Sequence, residues 1–229
     1  MKADYDIVVI GGGPGGYVAA IRASQLGKKV AIAEESELGG VCLNWGCIPT
    51  KSLLKNAYVF DLIKNSSKYG IDISNYKINW EKIIQRSRNI SKRLNKGIEF
   101  LMNKNNIKFF NSKANILDNN TLSLNGSGEL IKTKNIIIAT GTKQKNLPGI
   151  KLDGKKIISS REAMVLKEIP KKITIIGAGA IGVEFAHLYN TFGSEVTLIE
   201  SMSRILPNED EDISKELTSI FSKRKINVL

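Results

Sequence analysis

The chain has few of the residues that build metal sites: its 229 residues include 2 Cys and 1 His. A structural zinc site takes about four such ligands, and His187 stands far along the chain from Cys42 and Cys47. A metal centre is therefore disfavoured. Two thiols with four residues between them, and no other cysteine to pair with, are favoured as a redox couple, against the alternative of two inert, buried small hydrophobes. Long apolar runs are also missing. The longest, such as Ile136-Ile137-Ile138-Ala139, have the length of a strand, whereas a membrane-spanning helix needs about 20 apolar residues. Met1-Lys2-Ala3-Asp4 leads straight into an apolar strand, so no signal or transit peptide is expected. The cysteines are accordingly read in a reducing cytoplasm, where a persistent disulfide is usually catalytic or sensing. With 42% hydrophobic residues and a mean hydropathy of −0.12, nothing points to disorder or to a fibre.

Positive charge is in excess. A net charge of +12 and a pI near 9.6 invite a nucleic-acid partner, but Lys and Arg are scattered along the whole chain. The densest stretch holds Lys82, Arg86, Arg88, Lys92, Arg93 and Lys96, interleaved with Trp80, Ile83, Ile84, Ile90, Leu94, Ile98 and Leu101 at near-helical spacing. That pattern describes an amphipathic helix with a solvated outer face. Neither nucleic acid nor membrane is expected as a partner.

The strongest pattern is a repeated one. Tyr5–Ile10 reads as a strand ending in Gly11-Gly12-Gly13-Pro14-Gly15-Gly16, then a helix to Gly27, then a strand over residues 29–33 closed by Glu34. Residues 172–176, Gly177-Ala178-Gly179-Ala180-Ile181-Gly182, a helix over 183–192, a strand over 195–199 and Glu200 repeat it. In such a unit Gly11 and Gly177 permit the tight bend. Gly13 and Gly179 let backbone amides reach a pyrophosphate, and Gly16 and Gly182 let helix and strand pack closely. The phosphate sits on the helix N-terminus. Glu34 and Glu200 can accept from ribose hydroxyls and disfavour a 2′-phosphate; Arg204 is the one opposing cue at the second unit. One unit suits FAD and the other NAD.

Between the units, residues 52–68 read as a helix, followed by the basic helix. Residues 107–110, 114–117, 121–124 and 130–132 read as short strands of a meander, residues 135–139 as a buried strand, and Pro148 to Lys156 as a linker. After Glu200 come a helix over 212–225 and the start of a strand. The expected fold class is α/β, with two Rossmann-like dinucleotide-binding modules and a small β-meander, the second module incomplete at the C-terminus. The expected domains are 1–149 for FAD and 150–229 for part of the NAD module. Around the cysteines, Gly39, Gly40 and Gly46 allow backbone to crowd a ligand. Lys51 and a following helix would lower a thiol pKa.

The segment Cys42-Leu-Asn-Trp-Gly-Cys47-Ile-Pro-Thr-Lys51 closely resembles the redox-active segment of dihydrolipoamide dehydrogenases, within the pyridine nucleotide–disulfide oxidoreductases. Asn135–Gly141 resembles the family's strand-to-Ala-Thr-Gly junction, and Gly177–Phe185 its NAD turn. Glutathione and mercuric reductases share the architecture but usually carry Val between the cysteines and different residues after the proline, so Trp45 and Thr50 point to the lipoamide branch.

The resemblance implies a Cys42–Cys47 disulfide in which Cys42 faces the substrate and Cys47 the flavin, with hydride passing on to NAD. It implies Lys51 near the flavin and paired with Glu184. Gly11, Gly13, Gly16 and Glu34 would bind FAD, with further contacts from Gly40, Val41, Cys42, Ala114, Thr140 and Gly141. Gly177, Gly179, Ile181, Gly182, Glu184 and Glu200 would serve NAD. Ser112 departs from the glycine often found near the adenine. Members are also roughly twice as long, so a later FAD segment and a dimer-interface domain bearing a His–Glu acid/base pair are expected to be missing, leaving weak turnover at most. The implied partners are dihydrolipoamide or a lipoyl-bearing protein of a 2-oxoacid dehydrogenase or glycine cleavage complex, and a second copy in the homodimeric parent. Still open are a related disulfide or metal-ion reductase and a non-catalytic nucleotide-binding fragment.

Overall fold

A computed structural model describes residues 3–229; Met1 and Lys2, which enter the expectation of no leader, lie outside the described residues. By contacts the chain divides into two compact units. One comprises the chain up to Pro49 with Arg88–Leu152, the other Thr50–Ser87 with Asp153–Leu229.

The first unit is built on β1 (Tyr5–Ile10), α1 (Pro14–Gln25) and β2 (Val30–Glu34), a parallel pair with its crossover helix. In chain order come next α2 (Gly40–Trp45), α3 (Cys47–Lys64), a 3₁₀ turn (Ser66–Tyr69) and α4 (Trp80–Lys104), of which the stretch from Thr50 to Ser87 belongs to the second unit. Then follow β3 (Lys108–Asn111), β4 (Ala114–Asp118), β5 (Thr121–Leu124) and β6 (Leu130–Ile138). The strands form one sheet in the order β3-β2-β1-β6-β5-β4. Its parallel centre is buried on both faces, as two-sided strands require. Val9, Val30 and Ile32 pack with Ala20 and Ala23 of α1 and Ile98 and Met102 of α4. The alternate residues Val8, Ile10, Ala31 and Ala33 pack with Leu122, Leu124 and Ile131 of the meander. The period of two along each strand divides these sets.

Two expected boundaries are corrected. The runs 130–132 and 135–139 are one strand, β6, which changes partner instead of breaking. Leu130–Lys132 pair antiparallel with β5, and from Thr133 onward the strand runs parallel to β1. Thr133, which falls between the two expected strands, is buried and donates its hydroxyl to the Asn135 carbonyl. The helix expected from Ser52 starts at Cys47, because Pro49 falls in its first turn, where no N–H is needed.

The second unit holds α5 (Ser160–Ala163), β7 (Lys172–Ile176), α6 (Ala180–Thr191), β8 (Glu195–Ile199), α7 (Glu211–Lys223) and β9 (Asn227–Val228). Its sheet is parallel, in the order β7-β8-β9. Leu188, Tyr189, Phe192, Leu198 and Phe221 pack there with Leu53 and Trp80. The Tyr189 hydroxyl donates to the Ala163 carbonyl at 2.5 Å, and burial pushes its pKa well above the ordinary phenol value.

The order β9-β8-β7 repeats β3-β2-β1 in detail. Counterparts lie 166 residues apart, from Gly11 and Gly177 through Gly27 and Gly193 to Glu34 and Glu200. Gly11 and Gly177 have φ of +103° and +100°, and the caps Gly13 and Gly179 share φ −72° with ψ near 180°. Both units are Rossmann-like.

Candidate functional site

The first glycine turn lies at the C-terminal ends of β1, β2 and β6, where strand order reverses and open α/β sheets bind ligands. The Gly11 N–H closes onto the Ala33 carbonyl, and a Cβ on Gly11 would run into the carbonyl of Ala139. The Gly12 N–H donates to Glu34 Oε2 at 2.7 Å, and the Ser36 N–H donates to Oε1 at 2.8 Å. Glu34 thus fixes the turn and keeps lone pairs for further donors. Helix α1 has no side-chain cap and no acid in its first turn, leaving its N-terminus to an anion. Gly16 must be glycine, since a Cβ would collide with the Gly11 carbonyl. Thr140 and Gly141 are exposed just beyond β6, next to the turn through Ala139. Ala114 is half-buried at the start of β4, opposite Leu124.

The cysteine loop is stitched to this turn. The Gly39 N–H donates to the Gly12 carbonyl at 2.8 Å. Gly40, at φ +58°, brings its backbone so close that a Cβ would sit 2.7 Å from the Gly13 Cα. From there α2 carries Val41, which is 63% exposed, and the half-buried Cys42. Gly46 lets the chain fold back, since a Cβ there would press on the Val41 carbonyl. Cys47 opens α3, exposed and disulfide-bonded to Cys42 with a Cα–Cα distance of 4.7 Å. A thiolate at Cys47 would face the positive end of α3, which lowers a thiol pKa. One turn along the same helix is Lys51.

In the second unit, Lys51 Nζ meets Glu184 Oε1 at 2.5 Å, with side chains 62% and 25% exposed. Such a pair contributes little stability; what it does is fix where each head group points. The second glycine turn repeats the first. The Gly177 N–H closes onto the Ile199 carbonyl, and the Ala178 N–H donates to Glu200 Oε2 at 2.7 Å. That bond, with a second from Met202, holds the Glu200 carboxyl below the usual glutamate range. Gly182 abuts the Gly177 carbonyl, and Ile181 is exposed at the uncapped start of α6. Arg204, the cue for a 2′-phosphate, turns to its own loop, donating to the Pro207 and Glu209 carbonyls at 3.3 and 3.0 Å.

At Gly13 and Gly179 neither packing nor φ demands glycine. The nearest atom to a Cβ is 3.9 Å away at Gly13, and nothing lies within 4 Å at Gly179. Open space in front of uncapped helix N-termini, with a carboxylate one strand over, fits a dinucleotide's pyrophosphate and ribose at both turns.

His187 is half-buried on α6 beside Asp61, Lys64 and Arg224. Burial, and then the Arg224 charge, hold its pKa below the ordinary value. Sequence reasoning missed a second group, Asn44, Asn95 and Arg88, which grips the cysteine loop. Arg88 was expected on the solvated face of the basic helix. Instead its guanidinium lies 3.9 Å above the Trp45 ring and donates to the Asn44 carbonyl. Arg86 likewise bonds Ser52. Only the position of Asn44 between the cysteines signalled such a role.

A family model for pyridine nucleotide-disulphide oxidoreductases matches residues 5–229, and the chain belongs to that family. It is 44% identical to the dihydrolipoyl dehydrogenase of Chlorobaculum tepidum over 231 residues, covering all of this chain and 49% of that protein. The dihydrolipoyl dehydrogenase of Acholeplasma laidlawii is also 44% identical, with 69% of it covered. That of Bacillus subtilis is 41% identical, with 51% covered. Among solved structures, the HOCl-induced flavoprotein disulfide reductase RclA from Escherichia coli superposes with a TM-score of 0.84 at 30% identity, over 98% of this chain and 48% of that one. The chain spans about half the length of most of these relatives. Among the described residues, no helix is long and apolar enough to cross a membrane.

Proposed function

We propose that this chain carries the disulfide, flavin and nicotinamide-nucleotide machinery of a dihydrolipoyl dehydrogenase. The observation that carries the reading is the stitching of the Cys42–Cys47 loop onto the first glycine turn, through Gly39 to Gly12 and Gly40 against Gly13. A dinucleotide on that turn is thereby brought beside a disulfide.

In this reading residues 1–149 hold FAD and 150–229 hold NAD. Gly11, Gly13, Gly16 and Glu34 seat the adenosine-diphosphate portion of FAD, with Gly40, Val41, Ala114, Thr140 and Gly141 in further contact. Gly177, Gly179, Ile181, Gly182 and Glu200 seat NAD. Bound FAD supplies a two-electron relay that a thiol pair and a nicotinamide lack. The chain's own residues do the rest. A thiolate of the dihydrolipoyl group attacks the Cys42 sulfur and expels Cys47 as a thiolate. The second lipoyl thiol then displaces Cys42, so that lipoyl disulfide and two protein thiols replace dithiol and protein disulfide. Cys47 is the better leaving thiolate because it heads α3. Lys51, oriented by Glu184, keeps a positive charge one turn beyond. Lipoyl-bearing proteins of 2-oxoacid dehydrogenase or glycine cleavage complexes are the substrates, and a second copy of the full-length protein is the dimer partner.

The test is the visible spectrum of the purified chain before and after anaerobic dihydrolipoamide, with thiols counted. The expected result is a retained flavin spectrum that gains a long-wavelength band as two thiols appear, and no such response to glutathione. Retained flavin with Cys42 and Cys47 still oxidised would overturn the substrate assignment, and a response to glutathione instead would transfer it to another disulfide reductase of the family.

A further inference from the structure

We propose that Asn44, Asn95 and Arg88 are positioning residues for the Cys42–Cys47 couple, holding the backbone between the two sulfurs so that the disulfide state is favoured. The inference rests on the reading of that pair as the redox couple.

Asn44 lies between the cysteines and is 4% exposed. Its amide donates to the Leu38 carbonyl at 2.9 Å and to the Gly40 carbonyl at 3.0 Å. Those carbonyls lie at the turn that leads into α2, where Gly39 and Gly40 have φ of +88° and +58°. Buried and unmatched, they would cost free energy, so the Asn44 amide locks the turn that starts α2. Asn95 donates to the Leu38 carbonyl at 2.6 Å and to Asn44 Oδ1 at 3.3 Å. Arg88, two turns earlier on α4, donates to the Asn44 carbonyl at 2.5 Å while its guanidinium covers the Trp45 ring. Trp45 Nε1 in turn donates to Glu37 Oε2 at 3.0 Å. One face of α4 thus grips the loop at both ends, at Leu38 and at Asn44–Trp45. Arg88 also places a cation at the C-terminal end of α2, where the helix dipole favours one.

None of these contacts uses a sulfur atom, so their effect is on position. A dithiol closes more readily when the backbone already presents one sulfur to the other, because less conformational freedom is lost at closure. Freeing the loop lowers the effective concentration of one thiol at its partner and shifts the couple toward the dithiol.

The test equilibrates the whole chain with buffers of reduced and oxidised dithiothreitol. Protein dithiol plus oxidised dithiothreitol gives protein disulfide plus reduced dithiothreitol, and the remaining protein thiols are counted by alkylation. Arg88→Met and Asn95→Ala are each expected to lower the equilibrium constant for closing the disulfide by about tenfold, equivalent to about 30 mV for a two-electron couple. Arg88→Lys is expected to recover only part of this, because an ammonium lacks the planar fork that stacks and donates together. Asn44→Ala removes a buried amide and is the variant most prone to unfold, so Arg88→Met and Asn95→Ala decide the matter. Asn120→Ala is the control for stability alone. Its amide ties the Thr133 and Lys134 carbonyls in the meander, so it should lower the melting temperature and leave the thiol equilibrium unmoved. Folded Arg88→Met and Asn95→Ala proteins that titrate with the wild type would overturn the proposal alone. A wild-type pair that cannot be cycled at all would overturn the redox reading with it.

Discussion

The two glycine turns share a backbone and differ in what surrounds it. Gly11 sits between two strands, with Ala139 against it, Gly12 against the Glu34 and Leu38 side chains, and Gly40 against Gly13. Gly177 has the same φ and the same carboxylate hook, yet a Cβ on it would meet nothing within 4 Å. The cause is topological. In the first sheet β6 runs beside β1 on the side away from β2, whereas β7 pairs only with β8 among the described residues. One sequence device therefore works under two sets of constraints. At Gly11 glycine is demanded by conformation and by packing, at Gly177 by conformation alone.

The largest effect should come from setting Gly11→Ala against Gly177→Ala. Both put a side chain at positive φ, which costs about 1–3 kcal/mol. Only Gly11→Ala adds a collision with backbone atoms that cannot move aside, about a further 1–3 kcal/mol. Urea unfolding of the two variants should show the first losing clearly more stability. Equal losses would mean that the crowding around Gly11 relaxes freely, and the contrast would fail.

Gly13→Ala and Gly179→Ala sharpen the contrast from the other side, because neither position is strained or crowded. Each should leave stability within about 0.5 kcal/mol of the parent while placing a methyl group where a pyrophosphate would lie. Flavin retention, read from absorbance, should fall in the first variant, and NAD+ affinity, read by titration calorimetry, in the second. Unchanged binding in either would remove that turn from the cofactor assignment.

A smaller effect concerns the ends of α4 and α7, which close alike. Asn106 and Lys225 both take left-handed conformations, φ 51° and 59°, and the next N–H, of Ile107 or Ile226, reaches back to the Met102 or Phe221 carbonyl. Asparagine tolerates that conformation better than lysine does. Lys225→Gly should raise stability by about 1 kcal/mol and Asn106→Gly by less, in the same unfolding assay. A reversed order would show that the lysine is held there by contacts worth more than its strain.

Much of this was legible in the sequence because it is carried by local rules. Strands β1, β7 and β8 and both glycine turns follow from short apolar runs ending in glycine, and the acids at 34 and 200 from their spacing. What was not legible depends on partners distant in the chain. Nothing local reveals that Thr133 is the buried point at which β6 changes partner, because β1 and β5, which receive it, are separated from each other by more than a hundred residues. Arg88 reads as one basic residue among six, and only folding brings Trp45 beneath it. The Lys51–Glu184 pair, separated by 133 residues, was reached by resemblance, since no periodicity links the two.

The smallest difference between the modules lies on their first helices. Ile21 on α1 packs into the apolar core, while its counterpart 166 residues on, His187 on α6, faces the ion-pair cluster of Asp61 and Lys64 from α3 and Arg224 from the end of α7. Burial first, and then the Arg224 and Lys64 charges, depress the His187 pKa, and the Asp61 carboxylate only partly offsets them. The native state therefore disfavours protonated His187, and as pH falls through about 6.5 the unfolded chain takes up that proton first. Stability contributed by the neutral imidazole is complete above that pH. It declines until the native histidine also titrates, and is constant below. Asp61 has the opposite chemistry but the same direction of change. Burial alone would raise its pKa, but the Arg224 hydrogen bond and charge, with Lys64, outweigh that and lower it, so its contribution is lost only in more acidic solution. Urea unfolding between pH 7.5 and 5, as an approximate window around the ordinary histidine value, should therefore show a decline in the wild type that His187→Gln removes. Identical pH profiles for the two proteins would mean that His187 is solvated well enough to titrate normally, and that the two first helices differ in composition but not in electrostatic consequence.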